Sequence, residues 1–175
     1  MAQLQLDRIP SYYHRYVAQV QQLDLGAALA ERRNAVLPLL RSLPADRWEY
    51  AYAPGKWTIK ELVLHLADTE RVFAYRALTF ARNGNTPLPG FDENTFAEYS
   101  EANRRTPESL LAEFESVLDS TDALFFSFSD EQLERSGLAN EKPVYVYGIA
   151  YILAGHILHH RSVMLERYLE QATVS

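Results

Sequence analysis

Cysteine is absent from this chain. Disulfides, thiolate metal ligands and a cysteine nucleophile are thereby excluded, and any metal site must be built from His, Asp, Glu or backbone oxygen. Long apolar runs are missing too; no stretch approaches the roughly 18 consecutive apolar residues of a membrane span. The opening Met1-Ala-Gln-Leu-Gln-Leu-Asp-Arg8 has no basic start followed by an apolar run. No signal peptide is expected from it, and the cytoplasm is the expected compartment. Clustered Lys and Arg are also lacking. Against 17 Lys and Arg stand 23 Asp and Glu, a net charge of −6. That balance is the reverse of a nucleic-acid footprint and argues against an anionic membrane surface. No glycine-rich phosphate loop, Ser/His/Asp set or paired carboxylates stand out.

What is present is an ordinary globular composition, 47% hydrophobic and 23% charged over 175 residues. This fits a single domain over 1–175, long enough to bury a core without staples. Apolar residues recur with the helical period in four long segments. The first spans about Asp24 to Leu43, with Pro38 inside it expected to kink or open the helix; a shorter amphipathic piece, about Ser11 to Leu23, precedes it. The second begins after Pro54-Gly55 with Thr58-Ile-Lys-Glu61, a capping box, with Trp57 and Leu62 placed as a staple. It runs to about Arg82 with a core stripe of Ile59, Leu62, Leu66, Phe73, Ala77 and Phe80. The third starts at Thr106-Pro107 and runs to about Phe128, followed by a short turn over Ser129 to Arg135. The fourth runs from near Tyr145–Gly148 to about Glu170. Strand signals are few, the best being Val144-Tyr-Val-Tyr147. The reading is all-α, a four-helix bundle with a short N-terminal helix and a long connection between helices two and three.

That connection, Asn83 to Arg105, is long for a compact domain and needs a reason. Helix two would be about 39 Å long, and an extended link of this size reaches roughly 70 Å. A crossover that leaves helices two and three parallel is therefore feasible, as is an up-down bundle with a lid-like loop.

Four of the five histidines fall in two places: His65 on helix two, and His156, His159 and His160 on helix four. Positions 156 and 160 leave one helical face about 6 Å apart along the axis, a spacing at which two imidazoles can converge on one ion. Their face carries Ile149, Ile152 and Val163, so they point into the core, where unsatisfied polar rings are costly. Gly155 beside them suits a close approach of another element. His159 at i+3 reaches as well and stays open as an alternative ligand. His65 flanks its own stripe about eight residues from the start of its helix, and His160 lies about ten from the end of the fourth. If the two helices are antiparallel, His65, His156 and His160 meet at one depth. His14 reads as a surface residue. Glu61, near His65, is better explained by the capping box than as a base. Asp68, Arg71 and Arg76 read as bundle ion pairs, and the tyrosines as packing residues with a few lining a pocket.

The segment Tyr52-Ala-Pro-Gly-Lys-Trp-Thr-Ile-Lys-Glu-Leu-Val-Leu-His-Leu-Ala-Asp-Thr-Glu-Arg-Val-Phe-Ala-Tyr-Arg76 resembles the DinB/YfiT-like superfamily in its metal-dependent-hydrolase branch. Pro87-Leu-Pro-Gly-Phe-Asp-Glu93, Ala154-Gly-His-Ile-Leu-His-His160 and Glu166-Arg-Tyr168 extend the resemblance in order and spacing over nearly the whole chain. Pro38 and Ala67 depart from the pattern. The resemblance implies a four-helix bundle whose helix two supplies one His and helix four an H-x-x-x-H pair. These map onto His65, His156 and His160, which selects His160 over His159. It further implies one divalent ion, zinc or nickel, a homodimer, and in some members S-transfer from a low-molecular-weight thiol. The expected function is thus a metal-dependent hydrolase or thiol S-transferase acting on a small molecule, with a thiol cosubstrate in the latter case. The competing reading is a binding or stress-response bundle whose metal is structural or vestigial.

Overall fold

The computed structural model describes residues 3–169. In chain order its elements are α1 (His14–Val17), α2 (Leu25–Arg41), α3 (Ile59–Ala81), α4 (Glu93–Tyr99), α5 (Pro107–Phe126), α6 (Asp130–Glu134), β1 (Ser136–Ala139), β2 (Lys142–Tyr145) and α7 (Val146–Val163). A π-helical turn, Met164–Leu169, continues α7. The expected end near Glu170 lies outside the described residues. Helices α2, α3, α5 and α7 form the four-helix bundle. No described helix is long and apolar enough to cross a membrane.

Local chemistry sets the helix starts. The Asp24 carboxylate accepts from the Ala27 amide at 2.7 Å to open α2. At α3 the capping box is complete: the Thr58 amide donates to Glu61 Oε2 at 2.7 Å, and the Glu61 amide to Thr58 Oγ1 at 3.2 Å. Thr106 caps α5, with Pro107 in its first turn. Such caps satisfy amides that the helix itself leaves unpaired.

Contacts at the helix ends give the directions. Tyr168 donates to the Trp57 carbonyl at 2.8 Å, and Arg135, which leads into α7, reaches the Ala81 carbonyl at 2.7 Å. Helices α3 and α7 are therefore antiparallel. Thr58 Oγ1 meets Asn103 Oδ1 at 2.8 Å, while Arg82 sits over the Phe128 ring, so α3 and α5 are parallel. Arg32–Asp122 and Arg41–Glu115 pairs run α2 antiparallel to α5. Tyr151 to the Leu23 carbonyl and Arg161 to the Ala35 carbonyl make α2 parallel to α7. The connection between α3 and α5 is thus the crossover, not a hairpin with a lid.

Helix α7 is buried on every face from Val146 to Ile157. Its neighbours α2 and α3 cover two sides, and the N-terminal segment covers another. That close approach depends on Gly155, where a Cβ would lie 2.0 Å from the Tyr16 carbonyl oxygen.

The structure departs from the sequence expectation in several places. The crossover holds a further helix, α4, started by Asp92, whose carboxylate takes the Asn94 and Thr95 amides. It is also pinned to a hairpin, with the Leu88 amide donating to the Leu138 carbonyl and the Asn140 amide to the Leu88 carbonyl, both at 2.9 Å. The strand expected at 144–147 is β2, two residues earlier and paired antiparallel with β1. Val146 and Tyr147 instead open α7. Asn140 and Glu141 turn the hairpin with φ of 50° and 60°, as a two-residue primed turn requires. The N-terminal piece is a 3-10 turn, Ser11–Tyr13, followed by the single-turn α1. Helix α2 continues through Pro38 to Arg41, the proline lying on its exposed side. His14 is half-buried, its Nε2 lying 3.0 Å from the Leu6 carbonyl and 2.9 Å from that of Ile9.

Candidate metal centre

His65 projects from the second turn of α3, and His156 and His160 from successive turns of α7. Antiparallel packing brings the three to one level. His156 Nε2 stands 3.2 Å from His65 Nε2 and 3.0 Å from His160 Nε2. One ring nitrogen of each lies within 4.8 Å of those of the other two. His159, the alternative at i+3, is not in this cluster; its ring packs on Tyr16 at 5.1 Å between centroids and on His160 at 5.2 Å.

The cluster is deeply placed, with His65 and His156 each only 8% exposed. Burial holds the imidazoles neutral. It drives His65 down to about 4. Burial first, then the neighbouring His65, His159 and Arg15, drives His160 to about 3. His156 is held well below the usual range by burial and by His160 and His65. Neutral rings keep their lone pairs, the form in which histidine binds a metal.

The donor set fits a divalent ion. Tetrahedral bonds of roughly 2.0–2.1 Å to imidazole place neighbouring nitrogens about 3.3–3.4 Å apart, close to the separations here. Without an ion, His156 Nε2 faces two other ring nitrogens and can form one good hydrogen bond at most. Ring packing orients His160, since its buried Nδ1 has no hydrogen-bond partner.

Aromatic rings wall the cluster. Trp57 lies 4.7 Å from the His65 ring, and Tyr16 meets the His156 ring edge-on at 5.6 Å. A cavity of about 190 Å³ opens beside the histidines, lined also by Tyr12, Tyr13, Phe73, Phe91 and Glu93. Three ligands and an open side are the pattern of a catalytic metal site, whereas structural sites close with a fourth ligand. Among the described residues no fourth ligand joins the cluster. Glu61 is engaged in its cap and takes no part.

Sequence reasoning missed the roles of Trp57 and Tyr16. Trp57 is positioned for a staple, yet it also covers His65; the run Tyr12, Tyr13, Tyr16 was the signal for the N-terminal wall. Phe91 and Glu93 enter from the crossover, whose folding no periodicity announces.

These features can be set beside known proteins. The family model of the DinB superfamily matches residues 28–164. A protein of Oceanobacillus iheyensis named "Putative metal-dependent hydrolase OB0413" is 28% identical over 104 residues, which are 59% of each chain. The matched part thus spans about three fifths of that relative. YfiT from Bacillus subtilis, described as a probable metal-dependent hydrolase with an unusual four-helix bundle topology, superposes with a TM-score of 0.67 at 19% identity, over 94% of this chain and 90% of its own. A mycothiol-dependent maleylpyruvate isomerase gives a TM-score of 0.68 at 16% identity, over 88% of this chain but 65% of its own. At these identities the two structures show a shared fold. With the family model covering most of the bundle, from α2 through α7, the chain belongs to the DinB superfamily.

Proposed function

We propose that this protein is a metal-dependent enzyme in which His65, His156 and His160 hold one divalent ion, zinc or nickel, for reaction on a small molecule. The observation that carries this reading is the convergence of three neutral imidazoles, 3.0 and 3.2 Å apart at their central nitrogen, beside an open aromatic cavity. An ion bound there lowers the pKa of a water or thiol at its open side.

The chain's own groups supply the rest. Trp57 and Tyr16 cover the flanks of the ligand rings and keep water from them. Tyr12, Tyr13, Phe73 and Phe91 provide an apolar wall for substrate. His159 lies on the same wall, and burial lowers its pKa and holds its ring neutral. The carboxylate lining the chamber is that of the exposed Glu93. A water and a thiol held by the ion are alike activated by loss of their own proton. The names of the relatives divide between hydrolysis and thiol-dependent isomerisation.

The test is an activity screen of the metal-loaded protein, low-molecular-weight thiols with electrophiles against esters and amides. Turnover that chelator abolishes and added ion restores is expected. Failure of untagged protein to take up zinc or nickel overturns the reading.

A further inference from the structure

We infer that the substrate or cosubstrate of this site is an elongated molecule with an anionic group at the end remote from the metal-binding head, and that Arg76 receives that group. The inference rests on the metal-centre reading above and extends it to substrate class.

Arg76 is eleven residues beyond His65 on α3. Eleven residues make about three turns, so the two side chains leave nearly the same face, with roughly 16 Å between their levels. Arg76 is only 4% exposed, yet among the described residues no carboxylate lies within ion-pairing distance of it. Its neighbour on the helix, Arg71, is paired with both Asp68 and Glu113. Arg76 has instead one backbone carbonyl, that of Pro89 at 2.9 Å, the Phe73 ring beneath it and the Tyr13 hydroxyl beside it. A guanidinium stays charged at any physiological pH and has five donors. Burying one without a counter-charge is unfavourable unless another group completes it.

The space for that group is present. Arg76 lines a cavity of about 440 Å³ together with Lys142 and Asn140 of the hairpin. Tyr12, Tyr13, Phe91 and Glu93 line both this cavity and the one at the histidines. The two chambers thus adjoin, sharing these four side chains, and the inferred ligand spans both. Thr69 lines the histidine chamber, one turn from His65. It is 4% exposed, and its Oγ1 is buried with no hydrogen-bond partner. Two adjoining chambers therefore offer a metal site and an unmet hydroxyl in one, and a cation without a counter-charge in the other. Glu93, the acid on the shared wall, is exposed and therefore screened by solvent. Arg76 and Lys142 set the sign of the remote chamber, against the negative net charge of the chain.

The experiment compares two thiol probes of equal length on cobalt-substituted protein, 8-mercaptooctanoate and 8-mercaptooctanol, followed by the thiolate charge-transfer band. Side chains of a helix lean toward its N-terminus, and a chain of this length suits the gap between metal and guanidinium. The carboxylate is expected to bind roughly ten- to a hundredfold tighter than the alcohol, the factor a charge-assisted hydrogen bond supplies. In Arg76→Gln the two should bind alike, with the alcohol's affinity unchanged; Arg76→Lys should restore part of the difference. The short 3-mercaptopropionate should be indifferent to all these changes. Equal binding of the two long probes to the unaltered protein overturns the inference and leaves the metal centre standing, and it does so whether or not the variants fold. Absence of a thiolate band with every probe overturns the metal-centre reading and this one with it.

Discussion

His156 is the residue on which the cluster turns. Its Nε2 is the atom within 3.2 Å of both other rings of the cluster, and its ring packs against Tyr16. His156→Ala is expected to abolish stoichiometric binding of zinc or nickel, read by metal analysis after dialysis; an equivalent of ion retained by the variant would refute the ligand assignment. The same burial makes the metal-free protein acid-sensitive. In the unfolded chain histidine titrates near 6.5, whereas His65 titrates at about 4 in the fold. Between those values the unfolded state binds more protons than the native one, so the stability that neutral His65 contributes is present above about pH 6.5 and lost as pH falls toward 4. His160 and His156 act in the same direction. We expect the metal-free protein to lose on the order of 1 kcal/mol per pH unit per histidine across that window, until it unfolds. Urea midpoints measured from pH 7 to 5 check this, and a flat profile would mean that the rings are not buried as described.

Elements differ in how far their own sequence determines them. Helix α3 was legible from end to end, because its capping box, its stripe and the Asn83 stop are all local signals. Glu61→Gln keeps an acceptor for the Thr58 amide and should leave both stability and any metal-dependent turnover nearly unchanged, whereas Glu61→Ala should cost about 1 kcal/mol through the lost cap. A large loss of turnover in Glu61→Gln at full metal loading would instead make Glu61 a base. Helix α4 and the β1–β2 hairpin were not legible as such, since pieces this short draw their stability from contacts with distant segments. The histidine level followed from spacing and register, but the choice between His159 and His160 did not. Both offsets reach the same side of a helix, and the angle at which α3 crosses α7 decides which ring meets His65. Trp57 and Tyr16 were hidden for a similar reason, as their directions depend on packing between elements. The packing of the N-terminal segment on α7 has a direct test in Gly155→Ala. The new methyl group meets the Tyr16 backbone, not a movable side-chain tip. Destabilisation of about 1–3 kcal/mol is expected, together with loosening of Tyr16 from His156 and His159. An unchanged urea midpoint would show that this close approach does not exist in solution.

At the scale of the whole molecule, the crossover topology leaves α2 and α3 to meet across the bundle interior, and the charges there bear on how the helices are kept in register. Arg32 of α2 is fully buried, and so, at 1% exposure, is Glu70 of α3. Arg32 Nε lies 3.5 Å from Glu70 Oε1, and Arg32 Nη2 lies 2.7 Å from Asp122 of α5. Three of the four bundle helices thus converge on one guanidinium. Burial pushes the Glu70 carboxyl up, and Arg32 opposes that shift. Two ions inside a core are not by themselves a strong source of stability, since desolvation offsets most of their attraction. Breaking the pair is another matter. Arg32→Met leaves Glu70 buried with no opposite charge and should cost about 3–5 kcal/mol, while Asp122, partly solvent-exposed, can turn to water. Arg32→Met combined with Glu70→Leu removes both buried charges and should recover most of that loss, a non-additivity expected of residues in direct contact. Denaturant titration of the two single variants and the double variant measures the coupling. If the double variant is less stable than Arg32→Met alone, the two side chains do not act as a pair. If it recovers stability but no longer unfolds in one cooperative transition, the charges serve chiefly to fix the register of α2, α3 and α5, and with it the alignment of the crossover above the histidines.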